Sequence, residues 1–220
     1  MSTMTGDTRR VLVWDIFVRM IHWSLVILIP LCWWTYESYE MELHRLIGYG
    51  VLALMALRLF WGFAGSEAAR FANFLRGPRT VLAYLTARAP HHGGHNPLGG
   101  WSVVALFSLL CVQPLLGLFA ADRDGLDSGP FAAFVSDDHA QWAEQLHANL
   151  FYVLLGLVAL HVFAIGAYAW RGQNLIGPML NGRADVPREA GTPSPATRGA
   201  VAVGLFLAAS TFALLWRWGG

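Results

Sequence analysis

The sequence of 220 residues contains little charge and no lysine. Only 13% of its residues are charged, 55% are hydrophobic, and all fifteen basic residues are arginine. Soluble domains carry roughly 25% charged residues and do not need apolar runs as long as those found here. The composition therefore excludes an ordinary soluble domain, and nothing in it indicates a nucleic-acid partner. It indicates an integral membrane protein in contact with the lipid bilayer.

Cysteine is equally scarce, and no cleavable leader is visible. Cys32 and Cys111 fall in different apolar runs without paired spacing, so we predict that both fill space and that neither forms a disulfide or a metal site. Asp15, Arg19 and His22 interrupt the first apolar run, and no small-residue cleavage pattern follows it. We therefore expect this run to stay in the protein as a first membrane span.

Five apolar runs approach the roughly 20 residues that cross about 30 Å of hydrocarbon. They cover residues 17–36, 43–65, 99–120, 143–170 and 199–218. Because lipid offers the backbone no hydrogen-bond partner, each run must be a helix. We predict an all-α integral membrane fold with a four-helix transmembrane bundle over residues 1–183, a linker over residues 184–198 and an additional C-terminal transmembrane helix. The first ten residues, Met1 to Arg10, are expected to form a short polar tail.

The arginines and the acids are separated along the chain. Arginine concentrates in the N-terminal tail, between spans two and three, and between spans four and five. The other two connections contain only Arg45 and Arg123 as bases. Their acids are Glu37, Glu40, Glu42, Asp122, Asp124, Asp127, Asp137, Asp138 and Glu144. The positive-inside rule then places the N-terminus in the cytoplasm and the C-terminus outside, as expected in a bacterial inner membrane.

Four of the eight histidines lie in spans or at their ends, where an unpartnered imidazole is costly. His147 and His161, fourteen residues apart on span four, face directions within roughly 40° of each other and lie roughly 21 Å apart along the axis. The predicted topology pairs His161 with His22 near the cytoplasm and His147 with His44 near the outer face. Each pair comes from two helices, as a haem iron with two axial imidazoles requires.

These four histidines could also have roles that involve no haem. Any single one could form a hydrogen bond between helices. A zinc or copper site would gather its ligands at one depth, whereas these histidines divide two and two. The pairing by depth therefore favours two haems over either alternative.

Two arginines are candidates for contacts with a cofactor. Arg58 lies fourteen residues after His44, which places it on the His44 face of span two at the depth of the inner pair. A buried arginine needs an anion, and a haem propionate would supply one. Arg19 is four residues after Asp15, and we predict that the two pair at the cytoplasmic boundary. That pair is either a solvated ion pair or part of a quinone or propionate site.

The connection from Ser66 to Leu98 is predicted to lie on the membrane surface as one or two short helices. It ends in a loop that contains His91, His92 and His95. Because no carboxylate or cysteine accompanies these histidines, we assign no metal site to them.

Several stretches together resemble a known family. VWDIFVRMIHW, HRLIGYG, GHNPLGGW, LHANLFYVLLGLVALHV and NLIGPMLNGR are similar to segments of the bacterial cytochrome b561 family, which includes the cytochrome b subunits of Ni/Fe-hydrogenases. The similarity extends from about Val11 to Arg183. It implies a four-helix bundle that holds two b haems and moves electrons between a quinone and a redox partner at the outer face. The implied axial ligands are His22, His44, His147 and His161.

Three functions follow as hypotheses. The first is a di-haem cytochrome of the respiratory chain that links ubiquinone or menaquinone to a periplasmic c-type cytochrome or dehydrogenase. The second is a superoxide:ubiquinone oxidoreductase, which the resemblance allows and Arg45 beside the outer haem favours. The acidic loop from Asp122 to Glu144 argues against it, because superoxide is an anion. The third is a membrane anchor or assembly subunit without redox chemistry. A homodimer is an open expectation in each case.

Overall fold

The computed structural model describes residues 8–74, 77, 97–124, 127–188 and 191–219. Within these residues, five helices are long and apolar enough to cross a membrane. The chain is therefore an all-α, multi-pass membrane protein, as the sequence predicted. Most of the connection that was predicted to lie on the membrane surface, including His91, His92 and His95, lies outside the described residues.

The helices follow the predicted spans closely. In chain order they are α1 (Ile16–Glu37), α2 (Met41–Ala64), α3 (Phe71–Phe74), α4 (Pro97–Phe119), α5 (Asp137–Trp170), α6 (Ile176–Asn181) and α7 (Arg198–Gly219). The bounds of α1, α2, α4 and α7 differ from the predicted spans by at most two residues. The short helices α3 and α6 do not span.

The helix α5 begins earlier than predicted, at Asp137 rather than near residue 143. The Ser136 side chain caps it by accepting a hydrogen bond from the backbone N–H of His139, and two aspartates in the first turn complement the helix dipole. Its 34 residues extend for about 51 Å, which exceeds the roughly 30 Å of hydrocarbon. The first turns of α5 therefore project beyond the apolar region, and hydropathy alone could not reveal them.

The helix α2 lies at the centre of the bundle and packs against α1, α4 and α7. A Cβ atom on Gly204 of α7 would lie 2.9 Å from Cδ1 of Leu57, so the absence of a side chain lets the backbones of α2 and α7 approach closely. The helix α5 packs against α4, and its backbone stands off from α1 and α2. The histidines therefore face each other from helices that are not in close backbone contact.

The end of the bundle at which α1 begins, here called the proximal end, contains a small sheet. Strands β1 (Thr8–Leu12) and β2 (Arg183–Pro187) pair antiparallel. The prediction of a polar tail through Arg10 and of a linker starting at residue 184 is therefore wrong at these positions. Each strand has only five residues, and each pairs with a partner more than 170 residues away in sequence.

Gly182, which follows α6, joins this sheet to α1. The backbone N–H groups of Val13 and Trp14 donate to its carbonyl at 2.8 and 3.1 Å. Gly182 has a φ of 81°, and a Cβ atom there would lie 2.6 Å from the carbonyl oxygen of Trp14. Only glycine suits this left-handed position and this close approach.

Asp15 connects the start of α1 to the end of α2. One carboxylate oxygen accepts the backbone N–H of Val18 and caps α1. The other accepts the indole N–H of Trp61 at 2.8 Å and the hydroxyl of Ser66. Trp61 is only 1% exposed, so this carboxylate provides the partner for a fully buried donor.

The predicted ion pair between Asp15 and Arg19 does not form. Arg19 instead donates a hydrogen bond to the carbonyl of Leu180 in α6, and the indole of Trp23 donates to the carbonyl of Met179 at 3.1 Å. The prediction failed because spacing on one helix takes no account of partners from other elements. Both side chains hold neighbouring segments against α1.

A second contact at the proximal end ties the segment before α7 to the turn after α2. The Glu67 carboxylate accepts the backbone N–H and the hydroxyl of Ser194 at 2.9 and 2.8 Å. These hydrogen bonds favour the ionised form and lower the pKa of Glu67. The start of α7 therefore lies at the same end of the bundle as the start of α1.

The opposite end, here called the distal end, closes around aromatic rings. Tyr49 of α2, Leu118 of α4 and Leu215 of α7 form a buried cluster. The Phe131 ring lies beside it, with its centroid 5.8 Å from that of Phe119 and 6.3 Å from that of Trp218. The loop between α4 and α5 is thus packed onto the end of α7.

The substitution Asp15→Ala is expected to destabilise the bundle by about 2 kcal/mol or more. It removes a helix cap worth about 1 kcal/mol and leaves the buried indole N–H of Trp61 without an acceptor. Thermal unfolding in detergent, followed by circular dichroism, measures the effect. Asp124→Ala, at an exposed carboxylate of the distal loop, is the control and should change stability by less than about 0.5 kcal/mol. Equal shifts in the two variants would contradict the role of Asp15.

Candidate functional site

Two histidine rings meet near the distal end. His44 lies in the first turn of α2 and His147 in the third turn of α5. Their ring centroids are 6.2 Å apart, and the ring planes are nearly perpendicular at 86°. Two imidazoles that bind one metal ion through nitrogens about 2 Å from it have centroids about 6 Å apart. The separation of these rings therefore suits a single metal ion between them.

The outer nitrogen of each of these rings is held by a backbone carbonyl. Nδ1 of His44 lies 2.9 Å from the carbonyl oxygen of Cys32, and Nδ1 of His147 lies 2.8 Å from that of Gln113. Because a carbonyl oxygen only accepts, Nδ1 carries the proton in each ring and Nε2 has a free lone pair. Metal-binding histidines typically have this arrangement, with the second nitrogen donating to a carbonyl or a carboxylate.

The helix α4 contributes more to this site than its sequence indicated. The side-chain amide of Gln113 donates to the backbone carbonyl of His147 at 2.7 Å, so each residue donates one hydrogen bond to the backbone of the other. One turn later, a Cβ atom on Gly117 would lie 3.1 Å from Cε1 of His147. Neither residue was predicted from the sequence. Gln113 could have been noticed as an isolated amide in a span without charge.

The second histidine pair lies towards the proximal end. His22 of α1 and His161 of α5 are close enough for their charges to interact. Nδ1 of His22 is buried and makes no hydrogen bond within the described part of the chain. This nitrogen differs from Nδ1 of His44 and His147, which donate to carbonyls. The structure thus brings the rings of His44 and His147 together, and it places His22 and His161 within electrostatic range of each other.

Arg58 has an unused donor at the proximal end. One terminal nitrogen, Nη2, donates to the carbonyl of Ala69 at 3.4 Å, and the guanidinium lies 4.9 Å from the ring centroid of Phe71. The other, Nη1, is buried and has no hydrogen-bond partner among the described residues. A buried guanidinium with a free donor can bind an anion that enters the bundle. Nε of Arg19 is likewise buried without a hydrogen-bond partner in the described structure.

The ligand set and the space around it fit a haem better than a bare metal ion. No three histidine, cysteine or acidic side chains converge in the described residues, whereas a haem iron needs only two from the protein. Gly48 lies one turn after His44 on the same helix face. A Cβ atom added to Gly48 would have no other atom within 4 Å, so the space beside this face is open. A flat macrocycle could lie against this face, as the stand-off between α5 and α2 also allows.

The charge at the distal surface is modified by one ion pair. Arg45, next to His44, donates to the Asp127 carboxylate at 3.4 Å and to the carbonyl of Ser128 at 3.5 Å. Arg45 is therefore engaged by the acidic loop. It is not a free cation in front of the His44 and His147 pair.

Comparison with known proteins adds an independent result. The family model described as prokaryotic cytochrome b561 matches residues 13–182, which include all four histidines and helices α1 to α6. Curated proteins and solved structures yielded no match. The match covers well over half of the chain, and the fold and histidine geometry agree with it. The chain belongs to the prokaryotic cytochrome b561 family and is a transmembrane b-type cytochrome of electron transfer.

Proposed function

We propose that this cytochrome binds two haem b groups and transfers electrons between the membrane quinone pool and a periplasmic redox partner. His44 and His147 would ligate the distal haem, and His22 and His161 the proximal one. The observation that carries the proposal is the distal ring pair, 6.2 Å apart with both Nδ1 atoms turned to carbonyls. Haem b supplies one-electron redox chemistry when it is bound.

The protein contributes ligation, spacing and charge. The two ligands on α5 are fourteen residues apart, which separates the two sites by roughly 21 Å along that helix. Arg58 would bind a propionate of the proximal haem through its unpartnered Nη1 atom. Arg19, whose terminal nitrogen donates to the carbonyl of Leu180, would add its positive charge near the proximal haem.

The charge distribution supports one orientation in the bacterial inner membrane. The arginine-rich segments join the helices at the proximal end, and the acidic segments join them at the distal end. The positive-inside rule then assigns the proximal end to the cytoplasm and the distal end to the periplasm. The N-terminus would be cytoplasmic and the C-terminus periplasmic.

The quinone site is assigned to the proximal end, near Arg19 and Arg58. Asp15 was predicted to belong to it, but both of its carboxylate oxygens already accept hydrogen bonds from the protein. The Nε of Arg19 has no hydrogen-bond partner in the described structure and would donate to the quinone, while Arg58 holds the propionate. Ubiquinone and menaquinone both offer carbonyl oxygens that such donors can bind.

The distal surface favours a basic protein partner over superoxide. The segment from Asp122 to Glu144 contains six acids and one arginine. Arg45, which favoured the superoxide hypothesis, is paired with Asp127. A negatively charged surface attracts a basic c-type cytochrome or dehydrogenase and repels an anion such as superoxide. Membership of a cytochrome family in turn favours electron transfer over a non-redox anchor.

The substitution His161→Ala is expected to remove one of two haems. The proximal iron would lose an axial ligand, whereas the distal pair is unaffected. Haem content per polypeptide and the reduced visible spectrum of the purified protein measure the loss. His139→Ala, at an exposed histidine of the distal surface, is the matched control and should retain both haems. Wild-type protein without any b-type spectrum would refute the proposal.

The substitution Arg58→Gln is expected to lower the reduction potential of the proximal haem alone. Removing a nearby positive charge stabilises the oxidised iron centre, which carries one more positive charge than the reduced one. A spectroscopic redox titration should show one step moved to lower potential and the other unchanged. Arg217→Gln, at the distal end of α7, is the control. Identical titrations for wild type and Arg58→Gln would contradict the assignment of Arg58.

The partner is tested by electron-transfer kinetics. Protein reduced with a quinol analogue is mixed with a basic cytochrome c, and oxidised protein is mixed in a separate reaction with superoxide. We expect oxidation by the cytochrome with a rate that falls steeply as salt is added, because charge guides the encounter. Rapid reduction of the oxidised protein by superoxide at low salt, and no oxidation of the reduced protein by the cytochrome, would establish the superoxide:ubiquinone oxidoreductase instead.

A further inference from the structure

The helix α4 has no histidine and no charge, yet it makes close contacts with the distal ligand His147. Three of its groups take part: the backbone carbonyl of Gln113, the side-chain amide of Gln113 and the bare Cα of Gly117. Together they fix which nitrogen of His147 is protonated, where the backbone of α5 lies and how far the ring can move. Packing between two helices would not require two reciprocal polar contacts at one residue.

We propose that Gln113 and Gly117 are positioning residues that set the ring orientation of His147 and lower the reduction potential of the distal haem. The inference rests on the proposed ligation of a haem by His44 and His147. Donation from Nδ1 to a carbonyl makes the imidazole a more basic ligand. A more basic ligand stabilises the oxidised iron and lowers its potential.

Gln113 acts by keeping its own carbonyl within reach of the ring. The side chain is buried, with 8% of its surface exposed, and its amide holds the backbone of His147 at 2.7 Å. Without that hydrogen bond, α5 is free to move away from α4 at this level. The 2.8 Å bond from Nδ1 of His147 to the carbonyl of Gln113 would then lengthen, and the ligand would become less basic.

Gly117 acts by leaving room for the ring. A Cβ atom there would lie 3.1 Å from Cε1 and 3.4 Å from Nδ1 of His147, which is closer than side chains normally approach. Any larger residue must displace or rotate the imidazole. The present angle of 86° between the His147 and His44 planes would change as a result.

The proximal haem serves as an internal reference. Nδ1 of its proposed ligand His22 is buried and has no hydrogen-bond partner among the described residues. Its ligand His161 is fourteen residues from His147, and neither Gln113 nor Gly117 contacts it. Changes at Gln113 or Gly117 should therefore reach only the distal haem.

The experiment uses the full-length protein, purified with its haems, and the variants Gln113→Met, Gly117→Ala and Gly117→Val. Gln113→Met keeps the length of the side chain and removes the amide. Gly156→Ala is the matched control, because it lies on the face of α5 opposite His147, and a Cβ atom there meets nothing within 4 Å. Haem content, redox titration and paramagnetic resonance of the oxidised protein are measured for each.

We expect the Gln113 and Gly117 variants to retain two haems, to raise the potential of one haem and to leave the other unchanged. The resonance of that one haem should also shift, since it depends on the angle between the axial ring planes. In a His161→Ala background, where only the distal haem remains, Gln113→Met should raise the potential of the single titration step. Gly156→Ala should reproduce the wild type in every measurement.

Two outcomes separate the possible failures. If Gln113→Met and the Gly117 variants bind two haems with wild-type potentials and resonances, or shift only the proximal haem, the positioning role is refuted and the proposed function stands. If the wild-type protein itself binds no haem, the proposed function fails. Should Gly117→Val not fold, Gln113→Met and Gly117→Ala still decide the question.

Discussion

A polar group inside a bilayer cannot be hydrated and must find its partner within the protein, and the interior of this cytochrome is arranged around that constraint. At the distal pair, Nδ1 of His44 and of His147 each donates to a backbone carbonyl of a neighbouring helix. One nitrogen of each ring is thereby satisfied, and the other, Nε2, keeps a free lone pair. At Arg58 and His22, a buried nitrogen has no hydrogen-bond partner in the described structure. These nitrogens indicate where a bound group would lie.

The sequence predicted the spanning helices and the approach of His44 to His147, because both depend on regularities within single segments. Apolar length identifies a span, and fourteen residues on one helix place two side chains on one face whatever surrounds them. The depth of His22, His44, His147 and His161 needed only the order of the spans. The span positions and the histidine depths therefore do not depend on contacts between distant segments.

The features that the sequence did not predict depend on contacts between distant segments. Asp15 and Arg19 have the spacing of a helix pair, but Trp61, Ser66 and Leu180 offer them partners that local spacing cannot reveal. The strands β1 and β2 have only five residues each, too few to stand out in the sequence, and they form where the start of α1 and the end of α6 meet. Gln113 looked like an isolated polar residue until α5 was placed beside it.

The two ends of the bundle differ in the contacts that join their elements, and this difference bears on function. At the proximal end, the β1–β2 sheet, the Asp15 carboxylate and the Glu67–Ser194 contact connect the segments that flank α1, α2, α6 and α7. These contacts hold the segment that carries Arg19, so the proposed quinone would meet a donor that the fold has already positioned. At the distal end, the acidic first turns of α5 project beyond the apolar region, and their charge acts over about 8 Å in physiological salt. A protein partner guided by such a field can dock transiently and leave again, which suits a surface that exchanges electrons.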